Sequence, residues 1–141
     1  MKILISIPKN FSDIDLYFKF SLDTIARIQY NIVIPNSEIE IVSMWDGAHS
    51  AGLFSKKFSE KYGLSLKHFK IDWYKEEEPS FWKNGSYGMY NVLAGKNNNT
   101  KMIEYVRKNG GAVIVLGDGK EIEDILKKAK IAELEVYNGN M

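Results

Sequence analysis

Short apolar runs alternate along this chain with longer stretches that carry apolar residues at helical spacing. The first run, residues 2–7, is apolar on both faces, as is typical of a central strand in a parallel sheet. Further strands are predicted at residues 39–43, 66–71, 91–94, 112–116 and, at an edge, 134–137. Strands separated by helices of about 10–15 residues form right-handed βαβ units. The alternation therefore predicts a Rossmann-like three-layer α/β sandwich with a mainly parallel sheet of about five or six strands.

The predicted helices have recognisable starts. Ser12 or Asp13 is placed to cap the first helix, because both side chains accept hydrogen bonds from free amides of a first turn. Thr100 is predicted to open the third helix after a polar loop. Asp118 and Glu121 stand three residues apart, which is the spacing of a capping box at the start of the last helix.

The composition excludes several classes of protein. The chain has 141 residues, a net charge of +1 and no cysteine. This length suits one domain, predicted over residues 1–141. Without cysteine there is no disulfide framework, thiolate metal site or cysteine nucleophile, and the near-neutral charge argues against a broad nucleic-acid surface. No apolar run of about 18 residues is present to span a membrane, and no signal-peptide pattern is found, so we expect a cytoplasmic protein.

The predicted ligand site lies where the strands end. Ligands of open parallel sheets bind beyond the carboxyl ends of the strands, which selects the loops 8–12, 44–50, 72–90 and 95–101. Lysines there would meet phosphates as point charges, and tryptophans would stack on a base. The candidate ligand-binding residues are Lys9, Asn10, Trp45, Asp46, Gly47, His49, Ser50, Trp73, Trp82, Lys83, Asn84, Asn98, Asn99, Thr100 and Lys101.

Each group of candidates also has a purely structural explanation. Lys9 and Asn10 either grip an anion or belong to a solvated loop. Trp45 either stacks on a base or fills a vacant phosphate loop. The aromatic residues between 69 and 90 form either a binding surface or a local core under a long loop. Residues 97–100 either present amides to a phosphate or simply cap the following helix.

Acid–base chemistry is suggested by one pair alone. Asp46 and His49 are three residues apart in a loop, and a carboxylate beside an imidazole can transfer protons near neutral pH. No serine is evidently placed as a nucleophile, so no catalytic residue is predicted and enzymatic activity is not expected. The consecutive glutamates 76–78 point in different directions, so no metal site is predicted, and no cofactor is expected.

Short motifs follow one another in a characteristic order. They are residues 7–11 after the first strand, 44–52 after the second, Asp72-Trp73 after the third, and residues 99–103 ahead of the strand at 112–116. Over residues 2–116 this order resembles the SLOG superfamily, a Rossmann-like group that includes the LOG phosphoribohydrolases and the protein DprA. The small stand-alone members from bacteria and phages are the most similar, which implies a bacterial cell or a phage-infected host.

The chain departs from the SLOG pattern where that pattern holds phosphate. Ile7 and Met44 stand where the family has glycines that let the backbone approach a nucleotide, and Asn99 replaces the glycine before Thr100. The family's Arg-Asn pair corresponds to Lys83-Asn84. The enzymes of the superfamily carry a glutamate three residues after the threonine, where this chain has Ile103. The resemblance thus implies the fold with a degenerate ligand site and without phosphoribohydrolase activity.

Three functions remain as hypotheses. The first is non-catalytic binding, for sensing or sequestration, of a nucleotide or a nucleotide-derived small molecule at the carboxyl ends of the strands. The second is a protein-interaction module or homo-oligomer that has lost the ligand site. The third, which is less favoured, is a nucleotide N-glycosidic hydrolase.

Overall fold

The sheet at the centre of the molecule has five parallel strands. The computed structural model describes residues 1–47 and 49–140. The sheet order is β3-β2-β1-β6-β7, and β4 and β5 form a separate antiparallel hairpin. The strands are β1 (Lys2–Ser6), β2 (Glu40–Trp45), β3 (Ser65–Lys70), β4 (Trp82–Gly85), β5 (Gly88–Asn91), β6 (Gly111–Val115) and β7 (Glu135–Asn138). The helices are α1 (Ile14–Asn31), α2 (Ser50–Tyr62), α3 (Ala94–Lys108) and α4 (Lys120–Ile131). The predicted Rossmann-like α/β sandwich is confirmed.

Both faces of the sheet are buried. Successive side chains of a strand point to opposite faces. In β1, Ile3 and Ile5 therefore pack with α1 and α2, whereas Leu4 packs with α3 and α4. This double burial explains why the central strands are continuous apolar runs in the sequence. Among the described residues, no helix is long and apolar enough to cross a membrane.

The strand order reverses beside β1, which pairs with β2 on one side and with β6 on the other. From β1, the strands β2 and β3 are added in turn on one side. The chain then returns through α3 to β6, which lies on the other side of β1. The loops that follow β1 and β6 consequently run to opposite faces of the sheet. Their separation leaves a crevice at the carboxyl ends of these strands, where open α/β sheets bind ligands.

The predicted N-cap of α1 is confirmed, and the predicted capping box of α4 is not. The Asp13 carboxylate accepts a hydrogen bond of 3.0 Å from the Leu16 amide, as an N-cap does. The predicted capping box of Asp118 and Glu121 is wrong. Gly119 occupies the N-cap of α4 with a φ of 116° and provides no side-chain cap. Glu121 instead makes a tertiary contact, described below.

The region before α3 also differs from the prediction. Residues 91–94 form no strand of the main sheet, and residues 96–99 form no loop, because α3 already begins at Ala94. Thr100 lies in its second turn. Asparagine usually favours caps and turns, since its amide competes for nearby backbone groups. In this helix the three asparagine side chains, Asn97, Asn98 and Asn99, are buried and bonded to distant partners.

Two further boundaries are corrected. β2 continues to Trp45, so Met44 and Trp45 belong to a strand and not to the predicted loop 44–50. Their pairing with Phe69 and Lys70 of β3 extends the ladder by these positions. The predicted irregular stretch 72–90 contains the β4–β5 hairpin, which pairs only with itself in the described chain.

Candidate functional site

A cavity of about 310 Å³ lies at the carboxyl ends of β1, β2, β3 and β6. Its walls come from the loops after these strands and from the first turns of α3 and α4. The position matches the crevice where the strand order reverses. The volume is at the lower end of the range of small-molecule sites, about 300–1,000 Å³.

One wall of the cavity is charged, with both signs represented. The cations are Lys9 after β1, Lys96 in the first turn of α3 and Lys120 at the start of α4. Asp46 follows β2 and contributes one carboxylate. Two more come from α4, whose Glu121 and Asp124 lie three residues apart on one helix face. No group of three or more His, Asp or Glu side chains in residues 1–47 and 49–140 could hold a metal ion.

His49 joins α2 to α4 at the base of this wall. Its side chain is only 4% exposed, and Nε2 lies 3.0 Å from Oε1 of Glu121. Nδ1 accepts a hydrogen bond of 3.1 Å from the Ala51 amide and so caps α2. Because Nδ1 must be unprotonated to accept, the ring proton lies on Nε2, which donates it to Glu121. His49 therefore fixes the orientation of a carboxylate that faces the cavity.

The predicted pair of Asp46 and His49 side chains is wrong. The imidazole bonds Glu121, which is 72 positions away in the sequence. The backbone carbonyl of Asp46 accepts a hydrogen bond of 2.8 Å from the backbone amide of His49. That turn holds the two residues close together while the cap on α2 keeps the ring directed elsewhere.

Asp124 is held from two sides. Its Oδ2 accepts hydrogen bonds from the Asn99 amide at 3.0 Å and from Nζ of Lys128 at 2.7 Å. Nζ of Lys128 also donates to the backbone carbonyl of Lys96 at 2.7 Å. Asn99 and Lys128 thus fix the carboxylate of Asp124 and tie α4 to α3 beside the cavity.

Another part of the cavity lining is apolar. It consists of Met44, Ile71, Val92 and the ring of Trp73. Gly95 lies beside Trp73, and a Cβ placed on this glycine would come within 3.5 Å of the Trp73 ring. Gly95 thus lies close to one edge of the indole. A flat ring would pack against this apolar lining, with the charged groups of the cavity available to orient it.

One third of the predicted ligand-binding residues line the cavity. Five candidate residues line it, namely Lys9, Asp46, His49, Trp73 and Asn99. They come from all four of the loops that the sequence selected. Asn99 contributes its side chain from within α3, so its backbone amide belongs to the helix and is not free for a phosphate.

The other candidates on α3 are occupied elsewhere. Asn98 donates to the carbonyl of Phe69 at 2.9 Å, and Oγ1 of Thr100 donates to the carbonyl of Lys96 at 3.2 Å. Lys101 forms an ion pair of 2.7 Å with Glu77. These three side chains support α3 and do not line the cavity.

The remaining candidates lie outside the cavity as well. Trp45 lines a separate groove. Ser50 donates to the carbonyl of Lys9 at 3.4 Å and thereby ties α2 to the loop after β1. The others are Asn10 and Gly47, which are exposed, and Trp82, Lys83 and Asn84, which lie on the hairpin strand β4.

Four charged residues that line the cavity were not among the predicted site residues. They are Lys96 on α3 and Lys120, Glu121 and Asp124 on α4. The loop after β6 was the signal that could have identified these residues. β6 is strongly apolar and pairs with β1 where the strand order reverses, and open α/β sheets bind ligands at the strand ends there. Assigning Glu121 to a local cap concealed its tertiary role.

The sequence matches no protein-family model. It also matches no curated protein.

Proposed function

We propose that this chain binds a nucleotide or a nucleotide-derived small molecule in the cavity at the carboxyl edge of the sheet, without catalysing a reaction on it. The observation that supports this most is that one cavity is lined both by apolar side chains, Trp73 among them, and by charged groups of both signs. A nucleotide combines the same two kinds of surface, because its base is flat and apolar and its sugar and phosphate are polar. The resemblance to SLOG proteins points in the same direction.

The apolar and the charged parts of the cavity lining suggest one orientation for the ligand. The base stacks along Trp73, where aromatic rings accept any base. The sugar hydroxyls donate hydrogen bonds to Glu121 and Asp124, whose carboxylates His49 and Asn99 hold in place. A phosphate lies near Lys9 or Lys120, which act as point charges.

The helix ends argue against tight capture of a polyphosphate. Phosphates usually bind to free amides at a helix N-terminus, where the helix dipole is positive. The Ala51 amide of α2 is already bonded to His49. The first turn of α4 carries Glu121 and Glu123, whose negative charges repel an anion. A single phosphate held by lysine side chains fits this site better than a chain of phosphates.

Binding without catalysis agrees with the groups present. Nδ1 of His49 is used by the helix cap, and its Nε2 proton is donated to Glu121. The residues that line the cavity in the described chain include no serine or threonine hydroxyl that could act as a nucleophile. Glu121 and Asp124 then serve as acceptors for the ligand.

Replacing Trp73 tests the proposed site. Trp73→Ala should weaken binding about 10- to 100-fold, since stacking on an aromatic side chain contributes about 1–3 kcal/mol per base. The measurement is isothermal titration calorimetry with AMP, ADP-ribose, NAD and a cyclic dinucleotide. Trp82→Ala is the matched control, because Trp82 lies on the β4–β5 hairpin outside the cavity. A loss of binding in the Trp82 variant with none in the Trp73 variant would place the ligand elsewhere.

A second candidate function has one observation in its favour. The hairpin and the loop before it expose large apolar side chains, with Phe81 57%, Tyr87 90% and Met89 49% exposed. Exposed aromatic side chains grouped on one element often form a protein interface. An interaction module or a homo-oligomer would use this hairpin, and its stability would not respond to nucleotides.

A further inference from the structure

The strand β3 forms one edge of the sheet and has a regular backbone. In the described chain it pairs only with β2. The amide of Ser65 donates to the carbonyl of Ile39, just before β2, at 3.2 Å, and the amide of Ile71 donates to the carbonyl of Trp45, at the end of β2, at 3.1 Å. Because backbone groups alternate along a strand, the N–H and C=O groups of Leu66, His68 and Lys70 face outward. Such an edge can accept a further strand.

A groove of about 630 Å³ runs beside this edge, between β3 and α2. Leu64, Leu66 and Trp45 form its apolar surface. The indole of Trp45 is 38% exposed and lies 4.9 Å from the ring of His68, measured between ring centres. It rests on Gly52, where a Cβ would come within 2.2 Å of the ring. The groove therefore has a fixed aromatic wall.

The rim of the groove carries more positive than negative charge. Lys56 on α2 and Lys70 on β3 line it, together with the single carboxylate of Glu60. Burial lowers the pKa of His68 below its usual value, so this imidazole is neutral at neutral pH. Lys67 lies on the other face of β3, with Nζ 5.5 Å from the centre of the Phe69 ring, and does not line the groove. An extended partner with acidic side chains would complement the charges of the rim.

A second copy of β3 fits this edge poorly. β3 carries Lys67 and Lys70, and an edge strand with lysines is a poor partner for its own copy. Lysines on edge strands commonly prevent this kind of self-association. They leave the edge open to a strand of opposite charge.

We propose that the groove between β3 and α2 binds an extended acidic peptide segment of a partner protein, which adds to the sheet as a strand beside β3. Backbone hydrogen bonds to the outward groups of β3 supply affinity in this mode. The peptide side chains that face the groove lie at alternate positions. Apolar ones among them pack beside Trp45 and Leu66, and carboxylates among them meet Lys56 and Lys70. The groove shares no lining residue with the nucleotide cavity, so the proposal does not depend on nucleotide binding.

Two labelled peptides of opposite charge test the proposal by fluorescence anisotropy. The probes are Glu-Thr-Leu-Thr-Glu-Thr and Lys-Thr-Leu-Thr-Lys-Thr, each flanked by Gly-Ser, so that the two charged side chains and the leucine share one face of the strand. The wild-type protein should bind the acidic peptide at least about tenfold more tightly than the basic one. The double variant Lys56→Glu/Lys70→Glu should reverse this preference. Lys9→Glu/Lys120→Glu makes the same charge change at the other cavity and should retain the wild-type preference.

Hydrogen exchange of the wild-type protein provides a second measurement. Binding of the acidic peptide should slow exchange at the outward amides of Leu66, His68 and Lys70. Binding of neither peptide would overturn the proposal. It would also be overturned if the two double variants lost the acidic peptide equally, or if slowed exchange were confined to residues outside β3 and α2.

Discussion

Phe58→Ala should lower the free energy of unfolding by about 3–5 kcal/mol, the usual cost of truncating a fully buried phenylalanine. Phe58 has no exposed surface. Its ring packs edge-on against Tyr17 and Phe18, at 5.9 and 5.4 Å between ring centres, and lies 5.0 Å from Tyr62. These four rings join α1 to α2. The free energy of unfolding of small proteins is about 5–15 kcal/mol. The space left by Phe58→Ala would therefore remove a large part of the stability.

Urea unfolding followed by circular dichroism measures this loss. Leu53→Ala is the matched control, because Leu53 lies on the same helix and is 49% exposed. Its effect should stay within about 0.5 kcal/mol, as for most surface substitutions. Equal losses in the two variants would show that α2 does not bury the face described.

Gly111→Ala should cost about 3 kcal/mol, at the upper end of the range for overpacking. Gly111 pairs with Lys2 at the start of β6. A Cβ at this position would lie 2.0 Å from the carbonyl oxygen of Lys2 and 2.8 Å from Cγ1 of Val106. The first atom belongs to the backbone of β1 and cannot rotate away. The added methyl group would therefore force apart β1 and β6, the two strands that flank the crevice.

Thermal and urea unfolding of the purified variants measure this effect. Gly47→Ala is a suitable control, since a Cβ on Gly47 would meet no atom within 4 Å. An alanine at position 111 that left the stability unchanged would contradict the pairing of β6 with β1.

The fold could be predicted because its signal is local. β1 and β6 are apolar on both faces, and such runs occur in strands covered by helices on both sides. The cap at Asp13 also depends on neighbouring residues alone. Sequence spacing contains this information directly.

The candidate site could be predicted only in part because its contacts are long-range. His49 and Glu121 meet across 72 positions, and Asn99 meets Asp124 across 25. Intrinsic preference assigned the asparagines to a loop, but their buried partners compensate for their poor helix propensity. In the same way, pairing with β3 keeps Trp45 in a strand and turns its ring away from the cavity.

The measurement that tests the central proposal most directly is a thermal-shift experiment on the purified, ligand-free wild-type protein. The panel comprises AMP, ADP-ribose, NAD and cyclic dinucleotides. A ligand at 100 times its Kd adds about 2.7 kcal/mol of stability, which corresponds to a rise of about 8 °C in Tm for a protein of this size. Nucleotide binding in the cavity should produce such a rise with at least one member of the panel. An unchanged Tm with every member, from a sample that unfolds cooperatively, would contradict nucleotide binding and favour the interaction module.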